Sequence, residues 1–491
     1  MSPSLVKQVL SVQAPVDHEQ LAASFMKRVF GDKGAVAATD PSVVFGQMHK
    51  IKNQLNRDPF VSRAGDMVAS LAEANIFSLV SPLPTQQNWQ RFANISPSTT
   101  HGFEAEASFF ELIRHFVSDM VLPSLFGSAF TRNFPDCAAD LFKFDDNFYL
   151  FMMGIPSWIP YSSLGESIDA RERVKEAMGE LHDAVAAVAR GEAPPGGHGG
   201  RWADLSDVSN VMENRVRGWE EVGGLREAVI ATHALLAWVA LVNANVVIFW
   251  LLFHIYSDAE LLRTIRAEIA PFAKVEVEGA KDSSGAQPRL KIDSAGLRKR
   301  AVLLQSAMLE VMRLYTLSTS FKNIKEDFLV TESGIDEVVR EHGARFTSTK
   351  DEGSPCRPGR TYKLRKGDML CVPMGLHQHD PRYWKDAKRF DAGRFLIQKE
   401  SLASDAEGTK PPPMLSVDYS RIHAWGVGIT MCKGQKFSHR EVLDIAAAFL
   451  TCWDFEPADP KSGWDHPGMK PSSGTGTPKA EVRVKLRKVV S

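Results

Sequence analysis

The chain has 491 residues, 44% of them hydrophobic, with 58 basic side chains against 59 acidic ones. That composition is typical of a globular protein with a large buried core, and the balanced charge gives no support for a nucleic-acid partner. Its five cysteines are odd in number and form no C-x-x-C pair, which argues against both a disulfide framework and a structural zinc site.

Helical periodicity dominates the chain from its first residues. Ser2 and Pro3 are typical of an N-cap and a first helical residue, so we expect a helix there rather than a signal peptide or membrane anchor. Apolar spacing near 3.6 residues predicts further helices at 20–30, 63–75, 103–122, 167–190, 222–256, 258–271, 295–316 and 435–451.

Strand signals are few and come late in the chain, at 361–374 and 480–489. Polar or Gly/Pro-rich tracts indicate surface loops or insertions at 192–201, 276–290, 341–360 and 401–413. The sequence therefore predicts a mostly α protein with a small β component, forming one large domain over residues 1–491.

One predicted helix raises the question of a membrane. Residues 228–256 are apolar over a length that would span a bilayer. His233, Asn243 and Asn245 lie in the middle of this stretch, and a polar helix follows without a break. A helix buried through the centre of a large protein fits these polar residues better than a transmembrane segment.

Cys432 lies in the stretch WGVGITMCKG, among three glycines and just before a predicted helix. Taken alone, a cysteine is most often a small buried side chain. The glycines instead suit a tight backbone bend or a close approach by something bulky, and the N–H groups of the helix favour a thiolate. Catalysis by the thiolate lacks a recognisable partner motif, and one sulfur cannot make a zinc site, but it is enough for a haem iron.

The same stretch resembles the haem-binding loop of the cytochrome P450 family, Phe-x-x-Gly-x-x-x-Cys-x-Gly. Trp425 takes the aromatic place, Gly428 and Gly434 the glycine places and Cys432 the place of the iron ligand, with Gly426 as an additional glycine in the loop. The resemblance implies haem b, iron protoporphyrin IX, as a thiolate-ligated cofactor and a cytochrome P450 fold.

Other marks of the family follow in its usual order. Glu310 and Arg313 match its Glu-x-x-Arg motif, and residues three apart share a helix face. Arg394, in WKDAKRFDAGRFL, resembles the third member that locks to this pair in the family. A surface ion pair is the alternative interpretation of a Glu and an Arg at this spacing.

The central helix departs from the usual family pattern. Val242 and Asn243 stand where most members carry an acid and an alcohol. An Asn at this place resembles the branch that contains sterol 7α-hydroxylase and prostacyclin synthase, and Thr430 in place of the usual haem-propionate arginine is also tolerated there. The resemblance makes Asn243 a candidate for oxygen activation, and a buried polar residue capping an irregular turn is the alternative.

The resemblance implies a monooxygenase that acts on a steroid-, terpenoid-, polyketide- or fatty-acid-like molecule with electrons from an NADPH-dependent flavoprotein reductase. We expect the basic surface after the ligand to receive that reductase, although these charges also suit an ordinary solvated helix face. Its candidate residues are Lys433, Lys436, His439 and Arg440. Two alternatives stay open: an isomerase or dehydratase acting on a peroxide without external electrons, and a binding protein without haem.

By analogy with the family, residues of the central helix, of the segment after the Glu-x-x-Arg helix and of the turn SSGTGTP should line the substrate cavity. The individual candidates are Val239, Val246, Ser318 and Thr319. The family also implies the surface of the endoplasmic reticulum membrane, although its usual anchor and first strands are not expected in the chain as given, which leaves a soluble cytoplasmic protein as the alternative. Tracts 276–292 and 331–360 are long for the family and receive no role.

Overall fold

The structure is a computed structural model that describes residues 3–489 apart from 12, 40–43, 45, 47–52, 81–86, 157, 160, 198, 278–287, 334–358, 400–413, 429–430 and 471. The described residues pack as two compact units. The smaller unit is Met1–Ala22 with Ser306–Cys432, and the larger is Ala23–Gln305 with Lys433–Ser491.

Helices and strands alternate in the order of a mostly α protein. The helices are α1 Pro3–Val9, α2 Glu19–Val29, α3 Ala35–Ala38, α4 Phe60–Asn75, α5 Asn88–Phe92, α6 Phe109–Phe126, α7 Ser128–Asn133, α8 Cys137–Asp145, α9 Phe148–Met153, α10 Ser162–Ala189, α11 Asn210–Val222, α12 Arg226–Leu241, α13 Ala244–Tyr256, α14 Ala259–Ile269, α15 Ser294–Arg300, α16 Val302–Tyr315, α17 Met374–Gln378 and α18 Gln435–Cys452. The strands are β1 Val16–Asp17, β2 Ser96–Pro97, β3 Ala105–Ser108, β4 Ala273–Val277, β5 Pro288–Ile292, β6 Thr319–Ile324, β7 Phe328–Thr331, β8 Thr361–Leu364, β9 Met369–Pro373, β10 Leu396–Lys399, β11 Met414–Val417, β12 Trp453–Pro457, β13 Met469–Lys470, β14 Thr477–Pro478 and β15 Arg483–Lys488.

The larger unit is built around helices that are apolar on nearly every side. Every residue of α13 except His254 is buried, as only the core of a large protein allows. Aromatic rings join α6 to α13 and to β12: the ring of Phe109 lies 5.6 Å from Phe249 and 5.0 Å from Phe455, centroid to centroid. Rings at these separations contribute favourable edge and offset contacts in addition to the area that they bury.

A four-stranded sheet in the order β12-β15-β3-β2 completes the larger unit. Strand β15 confirms the prediction at 480–489, and it pairs antiparallel with β3 in the register Lys485 to Glu106. The predicted helix at 103–122 is wrong at its start, because residues 105–108 form β3 and the helix begins at Phe109. Main-chain pairing with a strand almost 380 residues later fixes β3, as the register shows.

The predicted helix at 222–256 is also corrected. The end of α11 and a left-handed Gly223 precede α12, and a break at Val242 and Asn243 separates α12 from α13. Residues Arg226–Tyr256 are long and apolar enough to cross a membrane, but 78% of their most apolar window is buried in the protein. That burial agrees with a core helix. The predicted helix at 295–316 is similarly divided, into α15 and α16, at Ala301.

The smaller unit contains three small antiparallel sheets, β1-β6-β9, β7-β8 and β10-β11. Its core joins α1 to the first of these sheets, with Leu5 and Val9 packed in the same cluster as Ile324 and Val372. The strand signal at 361–374 is confirmed as β8 and β9. Gly367, with a φ of 88°, makes the turn between them in a conformation that favours glycine.

Candidate functional site

A buried ion cluster organises the smaller unit. Helix α16 presents Glu310 and Arg313 on one face, and both side chains are fully buried. The carboxylate accepts two hydrogen bonds from Arg313, at 2.7 Å from Nε and 2.8 Å from Nη2, and a third from Arg394 Nε at 2.8 Å. The structure therefore brings all three predicted residues together around one carboxylate, with the bidentate geometry that suits a guanidinium.

The same guanidinium groups hold the following segment by its main chain. Arg313 Nη1 donates to the carbonyls of Gln378 and Ala387, each at 2.7 Å, and Arg394 Nη1 donates to the carbonyl of Lys385 at 2.6 Å. Residues 378–394 contain no long helix or strand whose hydrogen bonds would satisfy these carbonyls. The arginine side chains satisfy them instead. The cluster is thus a clamp for the segment that leads toward the cysteine loop.

A main-chain hydrogen bond between Cys432 and Trp425 closes the loop that carries the cysteine. Cys432 N–H donates to the carbonyl of Trp425 at 2.7 Å, and Gly426 and Gly428 adopt φ values of 77° and 59°. A Cβ added to Gly428 would lie 1.9 Å from the carbonyl oxygen of Leu10, so no side chain fits there. The fold of the loop therefore favours glycine at 426 and requires it at 428. Gly434 lies in the larger unit, as the N-cap of α18.

The donors in this region suit a haem iron rather than a bare metal ion. Cys432 and Cys371 are exposed and form no disulfide, whereas Cys137 and Cys452 are buried. Nowhere in the described part of the chain do three or more His, Cys, Asp or Glu side chains come together as a metal site. A haem iron can be bound by one cysteine sulfur as its protein ligand. An exposed Cys432 in a loop that contains glycines therefore fits this cofactor.

Asn243 lies at the break between α12 and α13, in the larger unit. Its Oδ1 accepts hydrogen bonds from Thr475, at 3.0 Å from the main-chain N–H and 3.3 Å from the hydroxyl. A Cβ on Gly474 would lie 2.1 Å from the same oxygen, so the glycine permits this approach. With its oxygen engaged, the carboxamide keeps its Nδ2 as a hydrogen-bond donor.

The predicted substrate residues are dispersed. Val246 is buried and lines a cavity of about 290 Å³ in the larger unit, together with Ser472 and Thr477 of the predicted turn. Val239 is 45% exposed and does not line that cavity. Ser318 and Thr319 lie in the smaller unit, just after α16, where Thr319 begins β6. Thr430 and most of the tract 331–360 lie outside the described residues, as does the middle of 276–292.

The predicted basic surface after Cys432 is only partly a surface. Arg440 is buried, and its guanidinium contacts Asp66 at 2.5 Å and Asp444 at 3.3 Å. Burial lowers the pKa of His439 to about 4, so this side chain is neutral near pH 7. The expectation that all four residues present charge to a partner is therefore wrong, and Lys433 and Lys436 remain as the available cations.

Sequence reasoning missed one acidic residue. Glu441, on α18, is 1% exposed, and its Oε1 has no hydrogen-bond partner within the described structure. Burial raises the pKa of this carboxyl well above its usual value, which favours its protonated form. Nothing in the sequence marks it, because a glutamate in a helix normally faces solvent.

Comparison with known proteins agrees with these motifs. The Cytochrome P450 family model matches residues 357–485, which include Arg394 and the whole cysteine loop. Rat 25-hydroxycholesterol 7-alpha-hydroxylase is 26% identical over 272 residues, or 54% of this chain and 56% of the relative. Rat prostacyclin synthase is 23% identical over 262 residues, or 52% of this chain and 44% of the relative. The chain thus matches about half the length of these relatives.

A solved structure extends the similarity of fold to the whole chain. The heme domain of the cytochrome P450 called P450DA aligns with 99% of this chain and 86% of its own, at a TM-score of 0.61 and 13% identity. The expected fold, mostly helical with a small β component and of cytochrome P450 type, is confirmed.

Proposed function

We propose that this chain, which belongs to the cytochrome P450 superfamily, is a haem-thiolate monooxygenase that inserts one oxygen atom of O2 into a lipophilic small molecule. The observation that carries the proposal is the exposed Cys432 sulfur, which forms no disulfide and lies in a loop closed by the main-chain bond from Cys432 to Trp425, within the segment that matches the family model. Haem b is the cofactor, and its iron supplies the oxidising chemistry when bound.

Each candidate residue has a distinct part in this proposal. Cys432 holds the iron through its sulfur, and Trp425, Gly426, Gly428 and Gly434 shape the loop around it. The clamp of Glu310, Arg313 and Arg394 is a structural support, because its hydrogen bonds in the described structure are to main chain and among the three residues. These residues keep the thiol in place and take no part in proton transfer.

Asn243 is the residue that we assign to oxygen activation. Thr475 holds its carbonyl oxygen, which leaves Nδ2 free to donate a hydrogen bond. Val242, at the place where most family members have an acid, brings no carboxyl group. The two protons that each turnover consumes therefore have to reach the reaction without a carboxylate next to Asn243 on this helix.

The overall reaction consumes the substrate, O2, two electrons and two protons, and yields a hydroxylated product and one water. We propose that an NADPH-dependent flavoprotein reductase supplies the electrons, with Lys433 and Lys436 contributing to its contact surface. A steroid, terpenoid, polyketide or fatty-acid-like molecule is the substrate class, supported by the similarity to a hydroxylase named for a sterol. The proposed location is the surface of the endoplasmic reticulum membrane, with a soluble cytoplasmic protein as the alternative.

A second candidate is an isomerase or dehydratase of a peroxide substrate, which needs no external electrons. It is compatible with Asn243 and is favoured by the similarity to prostacyclin synthase. Reductase-dependent O2 consumption with a panel of the four substrate classes would support the monooxygenase, and turnover of a hydroperoxide or endoperoxide without reductant would select the isomerase.

The Asn243→Ala variant tests the role of the carboxamide within the monooxygenase. We expect haem to be retained, with less product formed per NADPH oxidised, because the donor group is lost. Thr475→Val is the matched control, since it removes one bond to Asn243 but keeps the carboxamide, and its coupling should fall less. Unchanged coupling in Asn243→Ala would make the residue a structural element of the helix break.

A further inference from the structure

Asp145, at the end of α8, is a carboxyl group to which the proposed reaction gives no role. Its Oδ1 accepts hydrogen bonds from Trp238 Nε1 and from Ser473 Oγ, each at 2.9 Å. Both bonds end on the same oxygen, so no described residue donates to Oδ2. The ring of Phe148 stacks on Trp238 at 5.4 Å between centroids and fixes it. The carboxyl group is therefore held by neutral donors at one oxygen, and its other oxygen is available.

Asp145 and Asn243 contact the same short segment of the chain. Ser473 donates to Asp145, and Thr475, two residues later, donates from its main-chain N–H to Asn243 at 3.0 Å. Trp238, the second donor to Asp145, lies on α12 just before the break at Asn243. The carboxyl group thus lies near the carboxamide that we assign to oxygen activation, although it belongs to a different helix.

A cavity of about 290 Å³ lies beside both groups, since its lining includes Asp145, Val242 and Asn245. One buried water needs roughly 10–15 Å³, so several waters fit. Asn245 is 1% exposed, and neither its Oδ1 nor its Nδ2 has a hydrogen-bond partner among the described residues. The same is true of the Thr477 hydroxyl. These atoms are the polar partners that a buried water requires.

The cavity also has charged groups in its lining, and it opens to solvent. The charged groups besides Asp145 are Glu111, Arg114, Asp146, Lys470, Lys479 and Glu481. Lys479 and Glu481 are exposed, so water reaches the cavity from the surface. Lys470 Nζ lies 2.9 Å from Asp146 Oδ1 and makes no bond to Asp145. The lining therefore connects the surface with a carboxyl group that no cation neutralises by direct contact.

The surroundings of Asp145 suit a group that exchanges protons near neutral pH. Burial raises the pKa of Asp145 to about 6, against the lowering effect of its two hydrogen bonds. Burial would also raise the pKa of Glu111, but His115 and Arg114 beside it outweigh this effect and lower the pKa. Burial and the charge of Asp145 raise the pKa of Tyr149, which keeps this phenol neutral. A group passes on and regains a proton most readily when its pKa is close to the working pH.

We propose that Asp145 is a proton relay that acts through water in this cavity toward Asn243, in place of the carboxyl group that Val242 does not provide. The role deepens the proposed monooxygenase function and rests on it. Oδ2 gives its proton to a cavity water, and waters held by Asn245 pass the proton on to Asn243. The carboxylate then regains a proton from solvent water at the exposed end of the cavity, and the exchange occurs once for each of the two protons consumed.

The first test is an infrared titration of the resting full-length protein, which needs no turnover. The difference between the wild type and Asp145→Asn should contain a carboxyl band that is lost with a midpoint near pH 6. The band should shift in D2O, because a group in contact with cavity water exchanges its proton. Asp183→Asn, which removes a carboxylate paired with Arg226, is the control and should remove no band with this midpoint. A missing band, or one that does not respond to D2O, would overturn the proposal.

The second test is the amount of product per NADPH oxidised, with the substrate panel of the proposed function, including testosterone, geraniol and lauric acid. Asp145→Asn should lower this coupling by about tenfold or more with little change in KM, since a positioned acid contributes about 10²–10⁴-fold. Asp145→Glu, which keeps a carboxyl group, should restore most of the coupling. The rate of the wild type should fall as the pH rises through about 6, and Asp145→Asn should lack this dependence.

Two results of the second test would overturn the relay. Equal coupling in the wild type and Asp145→Asn would remove its function, and a raised KM with unchanged coupling would mean that Asp145 contacts the substrate instead. Absence of NADPH-dependent turnover in the wild type would overturn the monooxygenase function itself. The infrared band would then still show whether Asp145 exchanges protons with water, so the two failures are distinguishable.

Discussion

The buried clamp makes a quantitative prediction about stability. Replacing Glu310 by Ala removes a carboxylate that accepts two bonds from Arg313 and one from Arg394, and leaves the buried Arg313 charge uncompensated. Breaking a buried ion pair by removing one partner costs about 3–5 kcal/mol. Since whole domains are stable by about 5–15 kcal/mol, the variant should retain little of its folded state under mild denaturation.

An exposed pair at the same helical spacing provides the control. On α14, Arg263 Nη2 lies 2.6 Å from Glu260 Oε1, and the side chains of Glu260 and Arg263 are 74% and 71% exposed. Solvent screens such a pair, so Glu260→Ala should shift the urea midpoint far less than Glu310→Ala does. The measurement is the urea midpoint of each variant by circular dichroism, at low salt and at about 1 M salt, where exposed pairs are screened. A shift of equal size in both variants, or a Glu310→Ala shift that vanishes in salt, would refute the reasoning.

Two further predictions concern the individual residues Gly428 and Asp145. Gly428→Ala should abolish haem retention, because the added Cβ would overlap the Leu10 carbonyl. Gly367→Ala is the control: Gly367 also has a positive φ, but an added Cβ would meet no atom within 4 Å, so this variant should only lose stability. Equal haem content in the two variants would contradict the prediction. Burial raises the pKa of Asp145 to about 6, so the folded protein keeps a proton there that the unfolded chain loses above about pH 4. The urea stability of the wild type should therefore fall relative to Asp145→Asn by about 2 kcal/mol as the pH rises from about 4 to 7, and a difference that is constant with pH would rule this out.

Much of the fold and the candidate ligand could be predicted because local patterns determine them. The apolar periodicity of 435–451 reappears as α18, and the alternating run at 480–489 as β15. The loop at 425–434 was recognisable because the spacing of its glycines and cysteine resembles a family motif, and Gly426 and Gly428 adopt the positive φ values that favour glycine.

Features that depend on distant partners escaped prediction. Residues 105–108 have a pattern compatible with a helix, and only their pairing with β15 makes them a strand. An irregular turn at Asn243 was one of the two interpretations of the sequence, but its hydrogen bonds with Thr475, more than 230 residues away, could not be predicted. Arg440 looked like a surface cation because no local signal shows that Asp66 and Asp444 surround it.

The central claim, that Cys432 is the thiolate ligand of a haem, is tested most directly by the carbon-monoxide difference spectrum of the reduced protein. The wild type should show the absorption typical of a thiolate-ligated haem, and Cys432→Ala should lose it. Cys452→Ala is the matched control, because this thiol is buried, and it should keep the signal. A thiolate-type spectrum that survives the loss of Cys432, or its absence from haem-loaded wild-type protein, would contradict the account.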